Sequence, residues 1–199
     1  MPTRSLALAF CFICWIWTDL ARSQPTAVPL GPKETLKTWN FVGKTVDEVL
    51  PWYQANTNNE KKLARACATQ ALSTTRLSEA VKAKWGQGVE TIVAHLCLTE
   101  THEDDDAATV AVDGNEATLD FGISGVAPLF LVQTGVIWRV DMAAYMRALG
   151  SKWESARKYC DESSVICDKM TADVIGGKYP TAGQMIDALK KALAPLAEQ

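Results

Sequence analysis

The chain has 199 residues, 48% of them hydrophobic, with 20 basic against 23 acidic side chains and a net charge of −3. A weakly acidic chain with both signs interspersed gives no footing for nucleic acid or an anionic membrane as partner. The length suits one domain with a sizeable core.

Arg4 is the only charge before the run SLALAFCFICWIW (5–17), and the first acid is Asp19. Such a run is too short for a hydrocarbon core of about 30 Å and has the form of a signal-peptide core. Ala21 and Ser23 put small residues at −3 and −1 of a cut after Ser23, whereas Phe10 before Cys11 and Ile13 before Cys14 do not suit a lipoprotein site. The expectation is a signal peptide over 1–23 and an exported protein, secreted or periplasmic and in either case extracytoplasmic. Removing the leader takes Arg4, Arg22 and Asp19 with it, leaving 176 residues and a charge of −4. No later stretch has the length of a membrane span.

Residues 24–32 (QPTAVPLGP) hold three prolines and no charge and read as an extended arm. Over 33–43 the spacing of Leu36, Trp39 and Val42 predicts a helix ending at Gly43. Thr45 and Glu48 have capping-box spacing and open a short helix, and Thr57 with Glu60 open a longer one over 58–84. Leu63, Cys67, Ala71, Thr74, Leu77 and Val81 form the apolar stripe of that longer helix. After WGQG (85–88), Val89, Ile92, Val93 and Leu96 mark one or two further helical turns.

Beyond the acidic HEDDD (102–106) the period changes from 3.6 to 2. Strands near 108–112, 117–121, 129–133 and 136–141 make two hairpins, turning at Asp113-Gly114-Asn115-Glu116 and at Thr134-Gly135. Alternation puts Val110, Val112, Leu119 and Phe121 on one face, and sets Ile137 and Arg139 opposite Val136, Trp138 and Val140. From 143 to 175 the helical period returns. Met146, Leu149, Trp153, Ala156, Cys160, Ser163, Cys167, Met170 and Val174 step alternately by three and four, a seam with a seven-residue repeat. Gly150 weakens its first turn and Gly176-Gly177 stops it. Thr181 and Gln184 open a last helix carrying Met185, Leu189, Leu193 and Leu196. The fold class is therefore α+β: N-terminal helices packed on a curved four-stranded antiparallel meander (33–141), followed by a helical C-terminal extension of the same domain (142–199).

Cys67, Cys97, Cys160 and Cys167 remain after leader removal, an even count that suggests disulfides in an exported chain. In one continuous helix Cys160 and Cys167 lie about 10.5 Å apart, beyond the roughly 7 Å that a disulfide spans. Two full pairings are left, 67–160 with 97–167 or 67–167 with 97–160. Either would staple the tail helix to the earlier helices, and the alternative is buried thiols in the seam. No pair among these four has C-x-x-C spacing and no two histidines stand at ligand spacing, so neither a metal nor a cofactor is expected. HEDDD lacks the alternation and glycine of a calcium loop. VIGGKYPT (174–181) lacks the first glycine and the Ser/Thr of a phosphate loop and reads as a helix stop followed by a helix start.

PKETLKTWNFVGKTVDEVLPWY (32–53), AATVAVDGNEATLDF and PLFLVQTGVIWRVDM, with its WRVD at 138–141, resemble the nuclear transport factor 2-like superfamily over about 33–141. In that superfamily a sheet wraps a helix to form a cone, and the helical tail here is a departure. The resemblance implies a cone lined by Trp39, Trp52, Tyr53 and Trp138, with Trp85 in the same aromatic set. Asp47, Tyr53, His95 and Asp120 would be its proton-transfer candidates. No nucleophile motif such as G-x-S-x-G occurs. The reading is an exported non-enzymatic binding or protein-interaction module. Its seam would meet a protein partner, a second copy in a homodimer, or the protein's own helices. The alternative is a cone for a small apolar ligand, with or without isomerase- or hydrolase-type proton transfer.

Overall fold

The longest helix is fixed at its start by a reciprocal cap. The Thr57 hydroxyl accepts the Glu60 N–H at 3.3 Å, and the Glu60 carboxylate accepts the N–H groups of Asn56 and Thr57 at 2.6 and 3.1 Å. Burial works to raise the Glu60 carboxyl, but these backbone donors and the Thr57 hydroxyl outweigh it and hold the group below its ordinary range. The computed structural model describes residues 30–98, 109–120 and 128–196. The expected signal peptide, the expected arm up to Pro29, the HEDDD run and Phe121 lie outside them.

Three short elements precede that helix. Helix α1 (Pro32–Thr38) starts on proline and stops earlier than the expected 33–43, because Trp39 turns to extended backbone. Leu36 and Trp39 are buried as expected, while Val42 is exposed. The Thr45–Glu48 box opens α2 (Val46–Val49), and Pro51 sits in the 3-10 turn Leu50–Trp52 that follows. Strand β1 is only Tyr53–Gln54. Helix α3 then runs Asn58–Trp85 and ends at Gly86, whose φ of +87° suits glycine. Helix α4 covers Val89–Leu98.

Strands β2 (Thr109–Asp113), β3 (Glu116–Asp120), β4 (Leu129–Thr134) and β5 (Ile137–Asp141) form the antiparallel set. Their turns use Gly114 and Gly135, both at positive φ. The sheet is not the expected four-stranded meander. Tyr53 and Gln54 pair in parallel with Val140 and Asp141, giving a mixed five-stranded order β1-β5-β4-β3-β2. Two residues are too few for a period-2 pattern to register. Ala117, Leu119, Leu129, Leu131, Trp138 and Val140 form its buried face. Val112, expected on the buried side, is exposed because β2 is the edge strand, and Val136 is exposed in its turn.

The tail is not one continuous helix over 143–175. Helix α5 (Met142–Leu149), capped by the Asp141 carboxylate on the N–H groups of Ala143 and Ala144, breaks at Gly150, where φ is +56°. After a 3-10 turn, α6 runs Trp153–Ile175 and stops at Gly176, and α7 (Ala182–Leu193) follows behind its Thr181 cap.

The seam of α6 is covered by α3. Cys67 faces Cys160 and Thr74 faces Cys167 at the same separation in sequence, and Arg76 meets Asp168 further along. The numbers rise together, so the two helices run parallel. Leu63, Cys67, Gln70, Thr74, Leu77 and Val81 on α3 thus match Ala156, Cys160, Ser163, Cys167, Met170 and Val174 on α6, and all twelve are buried. Two apolar cores lie along this pair. One joins α1, the sheet, α5 and the first half of each long helix; the other joins their second halves to α4 and α7. Between them is a buried polar band of Gln70, Ser73, Thr74, Ser163 and Ser164.

The serine hydroxyls in the band bond within their own helices, whereas Thr74 meets Cys167 across the pair: Ser163 donates to the Cys160 carbonyl, Ser164 to the Asp161 carbonyl, and Ser73 accepts from Arg76. Gln70 is 1% exposed, and neither end of its amide finds a partner among the described residues. A buried amide left unsatisfied costs about 1–3 kcal/mol. Gln70→Leu is therefore expected to raise the free energy of unfolding by about that amount, read from urea denaturation. A loss of stability would mean that the amide is held in place and needed.

Candidate functional site

The aromatics expected to line a cone are packed into the first core. Trp39, Tyr53 and Trp138 are each 5% exposed or less, and Trp52 packs half-buried against them. Trp39 and Trp52 stack at 5.1 Å between ring centroids, and Phe41 meets Trp52 edge-on at 5.0 Å. Such geometry fills space rather than opening it. The extended backbone at Trp39 and the 3-10 turn before Tyr53 bring the two indoles together. Trp138 points in from β5 and donates its indole N–H to the Leu30 carbonyl at 3.1 Å, tying the arm to the sheet.

The proton-transfer candidates are dispersed. Asp47 is exposed on α2 and paired with Arg65 at 2.9 Å, Asp120 is exposed at the end of β3, and Tyr53 is a core residue. His95 lies in α4, whose described side chains do not include it. Trp85 closes α3 and carries the Lys84 ammonium 4.7 Å above its ring. Among the described residues no group of three His, Cys, Asp or Glu is placed to hold a metal ion, and no helix is long and apolar enough to cross a membrane.

An open groove among the described residues lies elsewhere. It has a volume of about 870 Å³ and lies between the Phe41–Lys44 loop, the outer face of α3 and the end of α6. Leu72, Ala80 and Ala83 form its α3 wall, with Val174 and Ile175 opposite and Val42 at the loop. Val42 and Ile175, which both line this groove, are 52% and 76% exposed. Short side chains on α3 make the depression: Ala80 and Ala83 leave room that a leucine would fill. The sequence carries this signal only faintly, as small residues beside the seam of α3, and nothing in it brings residues 42 and 175 together.

Charge borders the groove unevenly. Arg76 is neutralised by Asp168 at 3.0 Å and Lys44 stands 3.8 Å from Glu48. Among the described residues Lys84 bonds carbonyl oxygens, that of Val174 in α6 at 3.2 Å and that of Tyr179 after it at 3.0 Å, and so keeps its charge at one end, while Glu79 also lines the groove. Just beyond, Lys178 bonds the Asp173 carboxylate; that bond lowers the pKa of Asp173 and raises that of Lys178. Burial pushes the Tyr179 phenol up. This cluster fixes the turn after α6 and hence the Ile175 wall.

The cysteine candidates are brought together in two pairs. Cys67 and Cys160 have their sulfurs 3.8 Å apart, Cys97 and Cys167 3.3 Å apart, and all four are buried. No family model, curated protein or solved structure matches the chain.

Lys84 donates to the Val174 carbonyl, which also accepts the Gly177 N–H at 3.1 Å, and to the Tyr179 carbonyl in the segment between α6 and α7, so it ties α3 to the turn after α6. Lys84→Met is expected to cost about 1 kcal/mol, the net worth of an ordinary hydrogen bond and below the charge-assisted range because the side chain is exposed. Urea unfolding checks this, and an unchanged midpoint would show that water serves those carbonyls equally well.

Proposed function

We propose that the protein is an exported, non-enzymatic binding module that takes a small apolar ligand with an anionic head in the groove between α3, the end of α6 and the Phe41–Lys44 loop. The observation that carries this reading is an apolar depression of about 870 Å³, within the size range of small-molecule sites, lined by Lys44, Arg76 and Lys84 against the single carboxylate of Glu79, with Lys84 bonding carbonyl oxygens rather than a carboxylate among the described residues. Export is supported by the form of residues 1–23. Kinship with the nuclear transport factor 2-like proteins belongs to the same proposal and is supported by the order of short helices, long helix and hairpins.

Two features favour the groove over the earlier candidates. The cone aromatics are mutually packed, so the space between sheet and helix is taken by side chains. The α6 seam is covered by α3, which leaves it unavailable to a second chain. A ligand in the groove would bury Val42 and Ile175, whose exposure costs the free protein some of its apolar stabilisation.

The test is a titration with 1-anilinonaphthalene-8-sulfonate, followed by displacement with dodecanoate and dodecanol. Saturable binding near one equivalent is expected, with dodecanoate displacing the dye more strongly than the alcohol. Ala83→Trp, at an exposed wall position, is expected to weaken dye binding at least tenfold while leaving the urea midpoint in place. Equal affinity in that variant, or an alcohol as effective as the carboxylate, would contradict the reading.

A further inference from the structure

The parallel register of α3 and α6 selects between the two cysteine pairings that spacing alone leaves open. Cys67 sits level with Cys160, and Thr74, two turns later on α3, sits level with Cys167, its hydroxyl 3.9 Å from that sulfur. Cys67 is therefore separated from Cys167 by two helical turns, about 10.5 Å. Cys97 reaches Cys167 from α4, and the Tyr159 hydroxyl donates to the Cys97 carbonyl at 3.4 Å, holding the end of α4 against α6. We propose that Cys67 with Cys160, and Cys97 with Cys167, are the partners of two disulfide bonds, one in each apolar core.

Each bond forms by thiol–disulfide exchange with an external disulfide. One cysteine thiolate attacks a sulfur of that disulfide, forming a mixed disulfide and releasing one thiol. The second cysteine, losing its proton, then displaces the other thiol. The two cysteines are oxidised and the external disulfide is reduced to two thiols. A bonded pair has its sulfurs about 2.05 Å apart, so both contacts close by less than 2 Å. In the folded protein the second pair also interacts as thiols. Donation from the Cys97 thiol holds the pKa of Cys167 below the ordinary thiol range; burial opposes this and the Thr74 hydroxyl assists.

All four cysteines are 3% exposed or less. A soluble oxidant cannot meet them in the finished fold, so the bonds form while α6 is still settling onto α3 and α4. The same burial shields them from reductants afterwards. Both bonds hold α6: one to α3 in the core that contains the sheet, the other to α4 in the core that contains α7. They lie on opposite sides of the polar band, where apolar packing along the helix pair is interrupted.

The full chain, unfolded and reduced, is refolded in a glutathione redox buffer. Remaining thiols are alkylated, and the protein is digested with trypsin and a glutamate-specific protease and mapped by mass spectrometry without reduction. Cleavage after Glu162 separates Cys160 from Cys167. The expected map has Cys67 joined to Cys160 and Cys97 to Cys167, with alkylation confined to Cys11 and Cys14 or those two joined to each other. In Cys160→Ser the free seam thiol is expected at Cys67, and in Cys167→Ser at Cys97. Four alkylated seam cysteines, the crossed pairing, or a bond from any seam cysteine to Cys11 or Cys14 would overturn the proposal.

Discussion

The parallel packing of α3 against α6 is the constraint on which the other elements depend. Each helix presents buried residues at alternating steps of three and four, and equal steps on parallel helices keep the two faces in register along most of α6. Parallel helices also demand a long return path. The chain leaves α3 at Trp85 and must come back to the end where α3 began before α6 begins at Trp153. At 1.5 Å per residue α3 is about 42 Å long, and α4 with the four antiparallel strands covers the way back. In doing so they supply the layers that cover α3. Its middle, Gln70 to Thr74, is buried at five consecutive positions, as expected of a helix with neighbours on every side.

That arrangement divides the interior and places the surface features. The sheet covers the first half of the helix pair, and α4 and α7 cover the second. The outer face of α3 near Ala80 and Ala83 is left uncovered where the Phe41–Lys44 loop passes by. The groove is thus the gap between two layers that share one central helix. Its floor includes the short side chains of Ala80 and Ala83, and its end is marked by a lysine engaged with carbonyls at and just after the end of α6. A rigid wall on α3 and a pinned turn after α6 favour a preformed site, which lowers the ordering cost of binding.

Much of this fold was legible in the sequence where the determining interactions are local. The boxes at Thr45–Glu48 and Thr57–Glu60 start their helices as expected, because a cap involves neighbours three residues apart. Both hairpins turn at their glycines for the same reason. The α6 seam was legible from periodicity alone, and so was burial at Met185, Leu189 and Leu193. The α3 seam was less so: the apolar pattern runs through Ala71, while the matching position is Gln70, a polar residue buried by its place in the helix pair. Strand β1 is too short to carry a pattern, and the break at Gly150 depends on a backbone angle rather than on composition. Trp39, Trp52, Tyr53 and Trp138 were expected to line a cone and share one core cluster, but whether such a group surrounds a space or fills it depends on side-chain packing across elements. The groove depends on residues more than 130 positions apart and left almost no local trace.

Native-state hydrogen exchange would test the central role of the α3–α6 pair most directly. Amides of 67–81 in α3 and 160–174 in α6 should exchange slowest in the protein, with a common opening free energy equal to that of global unfolding. Exchange in α6 at a much lower opening free energy than in α3 and the sheet would show the tail helix to be an appendage, and would contradict the account.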